Sequence, residues 1–276
     1  MKEQKVVLVT GCAKGGIGYE YCLAFAGKGC RVYASDIAVR VHEIAGLPEN
    51  VSKLEMDVTS DDSVTNGISG ILADSGRIDI VINNAGIGCT GPLAEVPLDQ
   101  LSKVWEVNVL GQIRVAQAVV PHMVAQGSGT IANIGSVVGW APTPWAGGYC
   151  ASKAAVHAFT EVLRAELKPL GMHVVLVVPG AVRSGLGKAN TEELGKQHWR
   201  LYAKYEEAIA ERARASQGSK ATDAAVFARH VARRVLGVRP PPKQIVFGHM
   251  TGLFTMLAWS PRWARDLFFA KRFGLK

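Results

Sequence analysis

The sequence predicts an α/β protein, a doubly wound parallel sheet of about seven strands with helices on both faces. Three observations lead there. Short runs rich in Val and Ile alternate with longer amphipathic segments from residue 6 to residue 180. A glycine cluster closes the first of these runs. Polar residues with chemical potential stand where the runs end, and ligands of such sheets bind outside the carboxyl ends of strands.

The elements follow in order. Residues 6–9 form a Val-rich strand, and T-G-C-A-K-G-G-I-G at 10–18 leads into a helix over 19–28. Glycines let the backbone approach a pyrophosphate, and the helix N-terminus attracts its charge. A second strand, 31–35, ends at Asp36, about where a ribose diol is usually held. Residues 54–56 form a third strand, followed by Asp57 and Val58, then a helix over 61–73. The fourth strand, 78–82, is nearly all apolar, as burial on both faces requires. It is closed by Asn83-Asn84-Ala85-Gly86. A long periodic segment, 98–126, contains Asn108-Val109-Leu110-Gly111. The strand 129–134 delivers Ser136. A helix over 151–170 and a sixth strand, 173–178, lead to Pro179-Gly180. Residues 185–218 are polar, interleaved with Trp199, Tyr202 and Tyr205, and read as a helical lid over the substrate. A helix over 222–236, three prolines and a last strand at 244–247 complete the domain, 1–248, with a tail at 249–276.

Tyr149 and Lys153 are four residues apart, which on a helix puts both on one face. A phenol holds its proton to about pH 10, and a nearby cation favours the phenolate. A Tyr tuned in this way can exchange a proton with a hydroxyl or carbonyl. A hydroxyl from Ser136 can hold the same oxygen.

Composition narrows the alternatives. At 276 residues, 48% hydrophobic and 20% charged, the chain suits one large domain or two small ones, with a sizeable core. The five cysteines are scattered with no C-x-x-C, so neither a zinc site nor a disulfide framework is indicated, and no metal is expected. A reducing compartment follows. The N-terminus enters a strand with no signal peptide, and no apolar run reaches about 18 residues. The net charge is +8, and half of that excess lies in residues 244–276. No nucleic-acid-binding motif accompanies it, so no nucleic-acid partner is expected.

Together these residues resemble the short-chain dehydrogenase/reductases, with a Rossmann-type fold. The resemblance covers roughly residues 4–184 and the last strand. It rests on T-G-x4-G-x-G at 10–18, Asp57-Val58, N-N-A-G at 83–86, Asn108, Ser136, Y-x-x-x-K at 149–153 and Pro179-Gly180. It implies hydride transfer between a nicotinamide cofactor and a hydroxyl or carbonyl carbon. Tyr149 would be the general acid/base. Lys153 would lower its pKa and hold the nicotinamide ribose, and Ser136 would orient the substrate oxygen. Asn108 would fix a water leading from Lys153 to solvent. Gly11, Lys14, Gly16, Ile17 and Gly18 would cradle the cofactor's phosphates. Asp36 would take the ribose, and Asp57 and Val58 would meet the adenine. Asn84, Ala85, Gly86, Pro179, Gly180, Val182 and Ser184 would line the nicotinamide side. The glycine loop is one residue longer than usual; either Gly15 or Gly16 fills the second glycine position, and Gly16 keeps G-I-G intact. Ser184 stands where Thr is usual. These features resemble a fungal branch that includes acyl-dihydroxyacetone-phosphate reductases and hydroxysteroid dehydrogenases.

The resulting expectation is an oxidoreductase acting on a secondary alcohol or ketone of a bulky apolar substrate, a steroid, terpenoid, polyketide or acyl-ketone lipid. The alternative is a catalytically idle cofactor-binding sensor or scaffold. Asp36 favours NAD(H); Lys14, with Arg40 as a second cation, argues for NADP(H). A homo-oligomer, dimer or tetramer, is expected in the cytoplasm. The tail couples apolar clusters around Trp259 and Trp263 with Arg262, Arg265, Lys271 and Arg272. It is read either as a peripheral contact with endoplasmic reticulum or lipid droplets or as packing on protein. Cys89 and the Trp140–Trp145 loop are candidates for the substrate wall. Cys150 and His157 are read as packed or at a subunit contact.

Overall fold

The computed structural model describes residues 4–194, 197–237 and 240–275. Seven strands form one parallel sheet: β1 (Val6–Thr10), β2 (Arg31–Asp36), β3 (Val51–Glu55), β4 (Ile80–Asn83), β5 (Gly129–Ile134), β6 (Met172–Pro179) and β7 (Gln244–Phe247). Their order is β3-β2-β1-β4-β5-β6-β7. The order reverses between β1 and β4, so their carboxyl ends open a crevice. The helices are α1 (Ile17–Ala26), α2 (Ala38–Val41), α3 (Asp61–Ser75), α4 (Leu98–Trp105), α5 (Gly111–Ala125) and α6 (Gly147–Leu167). They continue with α7 (Gly185–Leu194), α8 (Glu206–Arg214), α9 (Ala224–Gly237), α10 (Thr251–Trp259) and α11 (Arg262–Phe273).

Alternate residues of each central strand feed opposite faces. Val7, Val9, Ile80, Ile82, Val175 and Val177 pack with Phe25, Phe227 and Val231 of α1 and α9. Val6, Leu8, Val81, Ile131 and Val174 pack with Ile68, Val115 and Leu167 of α3, α5 and α6. Burial on both faces explains the near-continuous apolar runs. A third cluster lies at the carboxyl end of the sheet. There Val137, Trp145, Trp199, Ile209, Phe254 and Phe269 bring the loop after β5, residues of the 185–218 segment and the tail together.

Several boundaries differ from the sequence reading, and three bear on the site. β3 covers Val51–Glu55, ahead of the expected 54–56. It is one of the two edge strands and only half-buried, so its polar residues hide the apolar pattern. The periodic segment 98–126 is α4 and α5 joined by a π-turn at Glu106–Leu110. α6 begins at Gly147, so Tyr149 and Lys153 both lie within it. In the tail, α10 and α11 meet at Pro261. Their inner faces carry the buried Phe254, Leu257, Phe269 and Phe273. Among the described residues no helix is long and apolar enough to cross a membrane.

Candidate active site

The crevice is shaped first by its glycine loop. Thr10 Oγ1 accepts the N–H groups of Asn84 and Ala85 at 3.0 and 2.9 Å. Asn84 Nδ2 donates in return to the carbonyls of Thr10 and Gly11 at 2.9 and 3.0 Å. The loop is thereby tied to the end of β4. Gly11 has φ +71°, and a Cβ there would lie 2.8 Å from Ala85 Cα. A Cβ on Gly18 would fall 2.1 Å from the Gly11 carbonyl oxygen. Gly15 takes φ +87° over open space, and Gly16 is the N-cap of α1. Both glycines of the lengthened loop are thus used, one for the left-handed turn and one for the helix start. The Gly15 carbonyl accepts the Gly185 N–H at 2.8 Å, which joins the loop to α7. A bare backbone leading into a helix N-terminus fits the pyrophosphate of a dinucleotide.

Asp36 is buried at the end of β2. Its Oδ2 accepts the Ala13 N–H at 2.7 Å and its Oδ1 the Ile37 N–H at 2.9 Å. A carboxylate has about four acceptor positions, so capacity remains for a diol. Arg40 is engaged with Glu43 at 3.1 Å, while Lys14 is exposed. Asp57 Oδ1 accepts the Thr59 N–H and hydroxyl, and Val58 packs under Gly111.

The reacting groups come from β5 and α6. Lys153 is buried, and its ammonium donates to the Ile134 carbonyl at 2.9 Å. Burial lowers its pKa to about 8. His157, one turn on, accepts the Ser136 N–H through Nε2 at 3.2 Å. Burial, with Lys153 adding to it, lowers the His157 pKa to about 4, so the imidazole is neutral. One turn further, Thr160 Oγ1 accepts from Asn133 Nδ2 at 3.1 Å. A Cβ on Gly135 or Gly139 would press on the His157 ring, at 2.4 and 2.8 Å. The residue left unread in the sequence as a site member is therefore a buttress of Ser136. Two glycines within four residues around Ser136 were the available signal.

The Tyr149 phenol is pushed up to about 12 by burial; Arg212 acts downward, Cys150 upward, and Ser136 downward through a hydrogen bond. This corrects the expectation that Lys153 supplies the lowering. Its ammonium is committed to Ile134 and stands 5.7 Å from the Tyr149 ring centroid. Asn108 sits in the π-turn with its side chain engaged on protein groups. Its Oδ1 accepts the Ile87 N–H at 2.8 Å, and Nδ2 donates to the Ile87 carbonyl and Ser152 Oγ at 2.9 and 3.1 Å. These bonds fix the side chain between the Ile87 backbone and α6 and leave the Asn108 main-chain carbonyl as the group that can hold a water.

These groups open on a cavity of about 430 Å³. Ile17, Ser136, Tyr149, Pro179, Gly180, Val182 and Ser184 line its inner side. Cys89, Val137, Val138 and Thr143 form one wall; Leu186, Asn190, Arg212, Phe254, Phe269 and Phe273 form the rest. Trp140 packs edge-on against His157, away from this lining, so of the aromatic loop it is Thr143 and Ala146 that reach the cavity. Cys150 is buried behind Thr143.

Residues 5–195 match the family model described as short chain dehydrogenase. The chain belongs to the short-chain dehydrogenases. Members of this family are NAD(P)-dependent oxidoreductases, and so is this chain. It is 32% identical over 283 aligned positions to the short-chain dehydrogenase ptmH of Penicillium ochrochloron, covering 99% of each chain. It is 36% identical to an NADPH-dependent 1-acyldihydroxyacetone phosphate reductase of Schizosaccharomyces pombe, over 71% of this chain and 64% of that one. Among solved structures, a short-chain dehydrogenase from Burkholderia phymatum in complex with NAD superposes with TM-score 0.75, at 26% identity and 92% coverage of both chains. The relatives' cofactors include both NAD and NADPH.

The buried imidazole has a measurable consequence. His157 is held near 4 in the folded dehydrogenase against 6.5 when exposed. Between those values the unfolded chain binds more protons, so stability rises with pH across that window and is lost as pH falls. Denaturant unfolding from pH 4 to 6.5 should show this rise, worth up to ~3 kcal/mol. In His157→Phe the slope should be shallower, leaving only the rise from carboxylates such as Asp79, and an equal slope in both proteins would contradict the placement.

Proposed function

We propose that the protein transfers a hydride between NAD(H) and the secondary alcohol or ketone carbon of a bulky, largely apolar substrate. The observation that carries this is the meeting of Ser136, Tyr149 and the glycine-loop crevice on one cavity walled by Phe254, Phe269 and Phe273. The nicotinamide supplies or accepts the hydride when the cofactor is bound. The remaining chemistry belongs to the chain. Tyr149 gives a proton to the carbonyl oxygen during reduction, or takes it from the alcohol during oxidation. Ser136 orients that oxygen, and His157 holds Ser136 in place. Of the three Lys153 donors, one is committed to Ile134, which leaves two for a ribose and the proton path. Gly11, Gly16 and Gly18 leave room for the pyrophosphate, with Ile17 at the cavity floor. Asn84, Ala85 and Gly86 stand on the nicotinamide side with Pro179, Gly180, Val182 and Ser184, and Asp57 and Val58 meet the adenine. Residues 185–218 act as a lid on the 1–248 catalytic domain, and the tail completes the wall.

NAD(H) is preferred over NADP(H) in this reading. Asp36 places a carboxylate at the ribose and repels a 2′-phosphate. Arg40 already answers to Glu43, which leaves Lys14 as the opposing cation. Family membership supports a dimer or tetramer.

A second feature concerns where the protein works. Trp259, Trp263 and Leu267 are 88%, 71% and 64% exposed, with Arg262 and Lys271 also exposed beside them. Trp with cations on one face suits the interface of an anionic membrane. This is the basis for proposing a peripheral position on endoplasmic reticulum or lipid droplets. The double variant Trp259→Ala, Trp263→Ala should float less with anionic liposomes than the wild type. Equal recovery of both in the soluble fraction would assign this face to protein contact.

The reaction itself is tested by following reduced cofactor spectrophotometrically with a panel of steroid, terpenoid and acyl ketones. Turnover should be faster with NADH than with NADPH. Tyr149→Phe should bind cofactor as the wild type does yet lose about 10²–10⁴-fold in turnover. A Tyr149→Phe protein with more than about a tenth of the rate would overturn the assignment of the proton donor.

A further inference from the structure

Three arginines stand around the cavity on the lid and tail. Arg214 is paired with Glu207 at 2.8 Å, and Arg272 is paired with Glu211. Arg212 differs from both. Its Nε donates to Thr143 Oγ1 at 2.8 Å, a neutral hydroxyl on the opposite wall. Among the described residues it has no carboxylate partner and no second hydrogen bond. The side chain is half-buried and lines the same cavity as Tyr149 and Ser136.

That position is costly for a cation without a partner. A partly desolvated guanidinium with free donors gains most from an anion that it can meet with two parallel N–H groups. The bond to Thr143 fixes the Nε edge and leaves the terminal nitrogens available. Packing sets the orientation as well: Ile209 and Ala213 bury the neighbouring face of α8. Arg212 also lies close enough to Tyr149 to act on its phenol.

We propose that Arg212 binds an oxyanion of the substrate, a carboxylate or a phosphate monoester, within the same cavity that receives the reacting carbon. This rests on the hydride-transfer reading and narrows it: the substrate is an amphiphile, its apolar body against Phe254, Phe269 and Phe273 and its anionic group at Arg212. Arg212 is then a specificity residue, and Thr143 positions it.

The test is calorimetric titration of the full-length protein with decanoate, decyl phosphate and decanol, which share a tail and differ in the head. The wild type should bind at least one anion about 10-fold or more tightly than decanol, as a charge-assisted bond implies. Preference for decanoate or for decyl phosphate says which oxyanion is read. In Arg212→Met the ratio of anion to alcohol affinity should collapse towards one. In Arg212→Lys it should recover in part, because a point charge replaces the fork. Decanol binding in each variant reports that the cavity is still formed. A wild type with no preference for either anion, or an Arg212→Met protein that keeps it, would overturn the proposal. These titrations need no turnover. Their failure would leave hydride transfer standing, and failure of every ketone to oxidise NADH would leave the anion preference standing.

Discussion

The site depends on a polar stripe of α6 that grips the exit of β5. Lys153, His157 and Thr160 recur at helical spacing and engage Ile134, Ser136 and Asn133 respectively. Tyr149 continues the stripe one turn towards the N-terminus. Helix and strand are therefore locked in register by hydrogen bonds whose partners are all buried or nearly so. A buried donor or acceptor left unpaired costs about 1–3 kcal/mol, so a slipped register would be penalised at several points together. The register is what brings the Ser136 hydroxyl to the Tyr149 phenol. Asn108 extends the lock to the other side of the crevice, joining the Ile87 backbone to Ser152 of the same helix.

The same burial sets the electrostatics. Lys153, His157 and Tyr149 are all pushed towards their neutral forms, to about 8, about 4 and about 12. A cavity that resists charge in this way keeps Tyr149 protonated and ready to donate. The reverse step, in which the phenol must accept a proton as phenolate, needs a cation close by. Arg212 of α8 is the cation that acts on the phenol in this way. The architecture thus separates a proton site, built on strand and helix ends, from a recognition wall built on the 185–218 segment and the tail.

Much of the fold was legible because central parallel strands are apolar on both faces. The expected strand at 129–134 has its observed bounds for that reason, and 244–247 is marked instead by the prolines before it. β3 was misplaced because an edge strand needs only partial burial, and its Ser52, Lys53 and Glu55 break the pattern. The π-turn around Asn108 left no trace, since a shift in hydrogen-bond register within a helix does not alter the apolar period. The motif residues converge at the strand ends as their spacing suggested. What the spacing did not reveal was how their side chains divide the work: Asn84 ties the loop, Asn108 ties a helix, and His157 supports Ser136. Arg212 was illegible altogether. It sits in a run of Glu and Arg whose neighbours have ion-pair partners, and only the folded chain distinguishes it.

Where the cofactor lies decides how these residues divide the work. A crystal structure with NAD(H) should place the adenosine ribose at Asp36, the pyrophosphate over Gly16–Gly18, and the nicotinamide ribose at Lys153, with the nicotinamide facing Tyr149. A dinucleotide bound with its nicotinamide away from Tyr149, and with Lys153 still meeting only Ile134, would contradict it.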